Sequence, residues 1–337
     1  MKVAAALVAA VALSVVSALA QPAASALAQS AAPDAAPQRR VFKSGSALVA
    51  LNVTVQDAGS KFIGGLKPED FVVYEDGVKQ DVQFFESSAV PIDLIVLIDT
   101  SSSMGDKLDV VHDAASGFLK TLRDVDRGAV VAFSDSVRIL QPLTSDRQLL
   151  ETAVRGTGAK GSTSLNNAVY IALKQFGQAA RATTGDVRRQ AIVVLSDGED
   201  TSSLVSFDDV LTLARKTGVN VYTVALQSKY DLAMQTGRRY FSDSDRSMQL
   251  LARETGAQSF FPSASSLRAV YGTIASELAS QYSIGYVPAN TRADGRFRRV
   301  VVQVVTQPQL HPRTRPGYTA DGTAVTVVGN VGGSEQR

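Results

Sequence analysis

Between positions 91 and 281 the chain alternates short apolar runs with segments of helical periodicity, and this alternation constrains its fold more than any other feature. Ile92–Ile98 is a short apolar run, interrupted by Asp93, and Ala191–Leu195 is a continuous one, and an aspartate follows soon after each. The stretch from Leu108 to Leu122 instead repeats apolar residues every three or four positions, which is typical of an amphipathic helix. Strands that alternate with helices predict an α/β fold, here a doubly wound, mostly parallel, Rossmann-like sheet with helices on both faces.

The segment before this α/β region, residues 41–90, has the pattern of β structure. Apolar residues occupy alternate positions from Val49 to Gln56, as in a half-buried strand. Further on, Asp76-Gly77 lies between two strand-like runs, Phe71–Tyr74 and Val78–Phe84. Because glycine accepts the positive φ of a tight turn, these two runs are predicted to form a hairpin.

The segment after it, residues 282–320, returns to β structure with strand-like runs at Tyr282–Val287 and Phe297–Val305. Each flanking segment is short for a core of its own. We therefore expect the two flanks to form one β sandwich, with the α/β domain of residues 91–281 inserted between them. Two small independent β appendages are the alternative.

The N-terminus has the features of a targeting segment. Residues 1–28 carry one positive charge, then an Ala-rich apolar run and two small-x-small sites, which predicts a signal peptide cleaved after Ala20 or Ala28. A retained membrane anchor is the alternative. Residues 29–40 are predicted to be a flexible lead-in and residues 321–337 a flexible tail. The mature protein is then expected to be exported (periplasmic, outer-surface or secreted), with no further membrane span.

Composition excludes several classes of function. The chain of 337 residues has no Cys and only two His, which argues against thiolate or His-rich metal sites and against cysteine nucleophiles. Lys and Arg number 34 against 32 Asp and Glu, giving a net charge of +2, whereas nucleic-acid-binding proteins usually show a basic excess. Hydroxyls, carboxylates and backbone groups remain as the chemistry available to this protein.

Hydroxyl and carboxylate side chains collect in three loops that are predicted to meet. The loops are 99–103 after the first α/β strand, 161–164 before a helix, and 196–200 after a later strand. In open parallel sheets the carboxyl ends of the strands meet at one edge, where ligands bind. Oxygen donors of this kind suit a hard cation such as Mg²⁺, with Mn²⁺ or Ca²⁺ as alternatives. The candidate metal ligands are Asp99, Ser101, Ser103, Thr163 and Asp197.

Each loop taken alone has a plainer interpretation. Serine and aspartate before a helix are typical N-caps, so Asp99 and Ser101 could serve the next helix, as could Ser162 or Ser164. Ser-Asp-Gly at 196–198 is ordinary turn chemistry. The combination at three strand ends is what favours a metal site.

These residues resemble the von Willebrand factor type A domain, over roughly residues 91–281. Its metal-ion-dependent adhesion site consists of an Asp-x-Ser-x-Ser loop, a Thr in a second loop and an Asp in a third. Loop 99–103, Thr163 and Asp197 match all three elements, with Ser102 standing where Gly is frequent. The resemblance implies Mg²⁺ as the usual ion and adhesion or scaffolding as the function.

The flanks resemble a bacterial family known as the VWFA-related acidobacterial domain. The matching segments are Gly65–Phe71 with Tyr74–Gly77 and Gln80, and in the C-terminal part Tyr282–Pro288, Gly295–Arg298 and Arg315–Tyr318. Ligands of this family are largely uncharacterised, so the resemblance adds little about function.

The sequence therefore predicts an exported, non-enzymatic module that binds a protein partner's Asp or Glu through a divalent cation. A scaffold protein whose metal only stabilises the fold is one alternative, and a metal-dependent hydrolase is another. The hydrolase has the least support, because no general base stands out. A Gly-x-Ser-x-Gly elbow and a phosphate-binding loop are also missing, and Ser101 stands where an Asp-x-Asp phosphatase would have its second Asp. Nucleic acid is not an expected partner.

Overall fold

The computed structural model describes residues 48–87, 90–182, 188–197, 199–226 and 241–320. The predicted signal peptide, lead-in and C-terminal tail lie outside these ranges. Strands and helices alternate through the middle of the chain, and both flanks consist of strands apart from a 3-10 turn at Pro68–Asp70. In chain order the strands are β1 (Val49–Gln56), β2 (Phe71–Glu75), β3 (Val78–Gln80), β4 (Val82–Ser87), β5 (Ile92–Asp99), β6 (Arg127–Phe133), β7 (Val137–Thr144), β8 (Arg189–Ser196), β9 (Asn220–Ala225), β10 (Ser259–Phe260), β11 (Tyr282–Tyr286), β12 (Phe297–Val304), β13 (His311–Arg313) and β14 (Gly317–Thr319). The α-helices are α1 (Leu108–Leu119), α2 (Arg147–Arg155), α3 (Leu165–Ala182), α4 (Phe207–Thr217), α5 (Asp243–Glu254) and α6 (Leu267–Ser280).

The central sheet has six strands in the order β10-β9-β8-β5-β6-β7. All its pairings are parallel except that of β7, which runs antiparallel to β6. Every residue of β5 is buried, because helices cover both faces of the sheet. Along β5, Leu94 and Val96 pack in one apolar cluster with α1, α2 and α6, while Ile95 and Leu97 pack in a second with α3, α4 and α5. This is the predicted doubly wound α/β fold.

The two flanks combine into a pair of four-stranded antiparallel sheets. One has the order β13-β1-β11-β4 and the other β14-β12-β2-β3, so each contains strands from both ends of the described chain. Side chains from both sheets, including Leu51, Val73, Ile284 and Val302, form one hydrophobic cluster. The expected β sandwich is therefore present.

The predicted hairpin forms, but its second strand is shorter than expected. Asp76 and Gly77 have φ of 48° and 83°, and β3 pairs with β2. The prediction of a single strand over Val78–Phe84 is wrong, because β3 ends at Gln80 and β4 belongs to the opposite sheet. The buried Gln80 side chain accepts a hydrogen bond from the backbone N–H of Ala289 at 2.9 Å, which fixes the point where the chain crosses between sheets.

A buried polar cluster joins the sandwich to the α/β domain. Glu277 of α6 is fully buried, and its Oε1 accepts hydrogen bonds from Thr54 of β1 at 3.1 Å and from Tyr222 of β9 at 2.7 Å. Arg313 of β13 forms an ion pair with the same oxygen at 2.6 Å. One carboxylate on α6 thus connects β9 of the central sheet with β1 and β13, which are paired neighbours in one sheet of the sandwich. Within the described ranges, no helix is both long and apolar enough to span a membrane.

Candidate metal centre

Asp99 ends the central strand β5 and is completely buried. Its Oδ1 accepts the Ser101 backbone N–H at 2.8 Å, and its Oδ2 accepts the hydroxyl of Ser196, the last residue of β8, at 2.5 Å. Because β5 and β8 are parallel neighbours, both strand ends reach the same edge of the sheet. The carboxylate is therefore fixed in place by the sheet itself.

The loop after β5 carries a chain of hydrogen-bonded side chains. The hydroxyls of Ser101 and Ser103 lie 3.0 Å apart, and Ser103 donates to Asp197 Oδ1 at 2.8 Å. Ser101 starts a 3-10 turn over Ser102–Met104, yet its hydroxyl caps no backbone N–H. The Ser101 hydroxyl therefore does not act as a helix cap, whereas the Asp99 carboxylate does accept a backbone N–H, that of Ser101.

Thr163 reaches the same edge through backbone contacts. The Ser102 N–H donates to the carbonyl of Gly161 at 2.9 Å, and Gly161 has φ of 84°, a conformation that suits glycine. The Thr163 carbonyl accepts the N–H groups of Thr201 and Ser202 at 2.9 and 3.0 Å. The second loop is therefore tied to both of the others, and Thr163 itself is only 5% exposed.

Asp200 fixes the third loop rather than extending the ligand set. Its Oδ2 accepts the Asn166 N–H, in the first turn of α3, at 3.0 Å. Its Oδ1 accepts the N–H groups of Ser202 and Ser203. The Ser164 hydroxyl is buried and has no hydrogen-bond partner among the described residues, so it does not cap α3. The structure gives that role to Asp200.

Sequence reasoning missed Lys107, which forms an ion pair with Asp197 Oδ2. Lys107 directly precedes α1, and its side chain is only 11% exposed. Ninety positions separate the two residues, and no local pattern marks such a contact. The side chain of Asp197 is 1% exposed, and each of its oxygens has a partner: Lys107 contacts Oδ2 and Ser103 donates to Oδ1.

The electrostatics of the edge favour a cation. Burial raises the pKa of Asp99 above its ordinary value, and the nearby carboxylate of Asp197 adds to the shift, although hydrogen bonds from Ser196 and Ser101 oppose it. A buried carboxylate with a raised pKa is one that its surroundings stabilise incompletely as an anion. A divalent cation between these oxygens would supply the missing charge.

The donor chemistry fits a hard cation. The five predicted residues offer three hydroxyls and two carboxylates, all oxygen ligands of the kind that Mg²⁺ and Ca²⁺ prefer. In the part of the chain that the structure describes, no group of three or more His, Asp or Glu side chains could hold a metal on its own. Hydroxyls would therefore have to share in the coordination, as the sequence pattern predicts. The assignment of these five residues as ligands stays a prediction.

A fully exposed apolar side chain stands near this edge. Leu204 is 96% exposed, in the loop that follows Thr201 and Ser202. The backbone N–H groups of Leu204 and Val205 both donate to the Asn167 side chain at 3.1 Å. Since these bonds add to those of Asp200, the loop is firmly attached to α3 while Leu204 points into solvent.

Comparison with known proteins identifies the central part of the chain. The model of the von Willebrand factor type A domain family matches residues 93–266, which is more than half of the chain. All three loops of the candidate centre fall within the match. An uncharacterized protein of Borreliella burgdorferi is 24% identical over 153 residues, which cover 42% of this chain and 43% of that protein. The chain therefore matches less than half of that relative's length.

Solved structures of the same kind are similar at low identity. A von Willebrand factor type A protein from Catenulispora acidiphila is 14% identical with a TM-score of 0.48, and the alignment covers 78% of this chain and 71% of that one. Proximal thread matrix protein 1 from the mussel byssus, solved with a zinc-occupied MIDAS motif, is 18% identical with a TM-score of 0.45. That alignment covers 56% of this chain and 48% of the mussel protein.

Proposed function

Because the chain belongs to the von Willebrand factor type A domain family, we propose that it is a metal-dependent binding module that captures a carboxylate of a partner protein. The cation would be held by the five predicted residues Asp99, Ser101, Ser103, Thr163 and Asp197. Bound there, it would supply an electrophilic centre for one anionic oxygen of the partner.

One observation carries this proposal: the continuous contact from Ser101 through Ser103 to Asp197 beside the buried Asp99. Residues from two separate loops converge there on an edge that the sheet holds fixed. Asp99 would serve as a buried anion, Ser101 and Ser103 as neutral donors, and Asp197 as the anion of the opposite loop. Because only a few of the metal's ligands would be anions, the metal would stay electrophilic enough to bind a partner's carboxylate.

Mg²⁺ is the proposed ion, with Mn²⁺ and Ca²⁺ as alternatives. Hydroxyl and carboxylate oxygens favour hard cations, and the chain offers no cysteine that would select a softer one. The zinc in the mussel protein belongs to that structure. A direct comparison of Mg²⁺, Mn²⁺, Ca²⁺ and Zn²⁺ affinities would decide the identity here.

Binding is better supported than catalysis. His112 bonds to the Thr157 hydroxyl at 2.6 Å, and His311 lies in β13, so neither is placed among the site residues by any described contact. A purely structural metal has less support as well, because hydrogen bonds already tie the three loops together. We further propose that the mature chain is exported, on the basis of the sequence pattern at residues 1–28.

Calorimetric titration would test the metal site. Wild type is expected to bind Mg²⁺ and Mn²⁺, and Asp99→Ala to lose that binding. Asp124→Ala is a matched control, because the Asp124 side chain is 94% exposed and pairs with Arg147 away from the site. Equal metal affinity in wild type and Asp99→Ala would refute the assignment.

A peptide array would test the proposed partner chemistry. Peptides that carry one Asp or Glu should be retained in Mg²⁺, released by EDTA, and lost when that residue is changed to Asn or Gln. Retention that is indifferent to EDTA or to the acidic residue would contradict carboxylate capture. Circular dichroism in EDTA would verify that the fold persists.

A further inference from the structure

We propose that Lys107 is a built-in counter-ion that competes with the divalent cation for Asp197 and so sets the metal affinity of the centre. This inference rests on the proposed function, since it concerns the regulation of the same site. Its basis is a contact within the chain itself, between the Lys107 ammonium and Asp197 Oδ2.

The burial of Lys107 marks the contact as specific. Lysine is almost never buried unless it is paired, and its side chain loses much rotamer freedom when fixed. The Lys107 side chain is 11% exposed, whereas that of Lys120, at the other end of α1, is 55% exposed although it also has a carboxylate partner, Glu151. Lys107 is therefore held in the interior by Asp197, not merely attracted to it at the surface.

The local backbone also disfavours a cation at this position. Lys107 occupies the N-cap of α1 and makes no side-chain capping bond. The N-terminus of a helix carries partial positive charge, so a lysine there is unfavourable unless an anion compensates. Asp109 supplies an anion in the first turn of α1, but the carboxylate that the Lys107 ammonium contacts is that of Asp197, from the loop after β8. The lysine is thus suited to the carboxylate edge and not to the helix it precedes.

Charge balance then predicts an exchange. With both counted as carboxylates, Asp99 and Asp197 together with Lys107 carry a sum of one negative charge. A divalent cation added beside Lys107 would reverse the sign of the total, and two cations near one carboxylate repel each other strongly in a poorly hydrated setting. Metal binding should therefore displace the ammonium from Asp197 Oδ2. The displaced lysine would remain near the metal, at the rim of the site.

The exchange predicts the effect of neutralising the lysine. Lys107→Gln removes the competing charge while its amide can still donate to Asp197, and should bind metal at least tenfold more tightly than wild type. Lys107→Arg keeps the charge and should not gain affinity. Lys120→Gln, on the same helix but away from the site, should match wild type. Lys107→Met serves as a second neutral variant in case Lys107→Gln fails to fold.

Mn²⁺ titration, followed by the electron paramagnetic resonance signal of the free ion, would measure these affinities. Thermal melting adds a readout of the apo protein. In EDTA the neutral variants should melt below wild type, because Asp197 loses its ionic partner and keeps only neutral donors such as Ser103. Saturating Mg²⁺ should stabilise them by more than it stabilises wild type. If wild type binds Mn²⁺ and the neutral variants bind it equally well or more weakly, the proposed exchange is refuted, while the proposed cation site still stands. Absence of Mn²⁺ binding in wild type and all variants would overturn the proposed cation site and the exchange with it.

Discussion

Replacing Glu277 by alanine should destabilise the protein strongly, because this one buried carboxylate connects the central sheet to one sheet of the sandwich. The substitution removes the acceptor for the hydroxyls of Thr54 and Tyr222 and the ionic partner of Arg313. A buried polar group left without its partner costs about 1–3 kcal/mol. The Gln281 amide donates to both hydroxyls, at 3.4 and 3.0 Å, so it cannot replace Glu277 as the acceptor for their protons.

We therefore expect Glu277→Ala to lower the free energy of unfolding by about 3 kcal/mol. This value is at the low end of the range for breaking buried ion pairs, because the Arg313 side chain is 28% exposed and can be hydrated. Glu277→Gln retains an acceptor and should cost less, about 1–2 kcal/mol. Exposed Glu86, on β4, provides the control, and Glu86→Ala should change stability by less than about 0.5 kcal/mol.

Urea unfolding would measure these differences. The chain has no Trp, so tyrosine fluorescence and far-ultraviolet circular dichroism are the suitable signals. Thr54→Val combined with Glu277→Ala should cost less than the sum of the single changes, with a coupling of about 1 kcal/mol. A loss below about 1 kcal/mol for Glu277→Ala, or strict additivity of the pair, would refute this account of the cluster.

Three further predictions concern other parts of the molecule. Gly256→Ala should lower the free energy of unfolding by about 2 kcal/mol or more, because Gly256 has φ of 75° and an added Cβ would lie 2.5 Å from the Arg315 backbone nitrogen. Its control is Gly272→Ala, in open space on α6, which should raise the free energy of unfolding by up to about 1 kcal/mol in the same urea titration. Burial alone would raise the pKa of Asp126, but hydrogen bonds from Arg123 and from two backbone N–H groups outweigh it and hold that pKa below its ordinary value. Its stabilising contribution is therefore complete above the unfolded pKa of about 3.9 and is lost as pH falls through the lower folded pKa, so unfolding titrations should show a weaker acid dependence in Asp126→Asn than in wild type. Leu204→Ser should leave unfolding and Mn²⁺ affinity unchanged but weaken retention of the acidic peptides, since an exposed apolar side chain beside the site is suited to contact a partner; unchanged retention would contradict this.

Regular patterns in the sequence were sufficient to predict the layers of the fold. The apolar run of β5 corresponds to its complete burial, and the alternation in β1 corresponds to its burial pattern except at Thr54, which is also buried. The turn at Asp76-Gly77 was predicted because its chemistry is local. The break between β3 and β4 was not, since a long-range bond from Ala289 to Gln80 determines it.

The candidate centre divides in the same way. The five residues could be chosen from the sequence because parallel strands end at one edge, which is a rule of topology. The ion pair of Lys107 with Asp197 and the role of Asp200 in holding α3 depend on side-chain contacts between distant segments. No spacing rule anticipates such contacts. The strands β13 and β14 were missed for another reason: with three residues each, they are too short to show a period.

The position of β1 has a consequence for how the protein is made. Both neighbours of β1 in its sheet, β11 and β13, come from after the α/β domain, and Val49 pairs with Tyr286, more than 200 positions later. During synthesis from the N-terminus, β1 therefore emerges long before either partner exists, and its two edges stay open while the ribosome completes the α/β domain. That domain can close first, and its folding brings the ends of the flanks together, which reduces the entropy of joining such distant strands. A ribosome stalled after α6 should consequently display a folded α/β domain with β1 still accessible to chaperones.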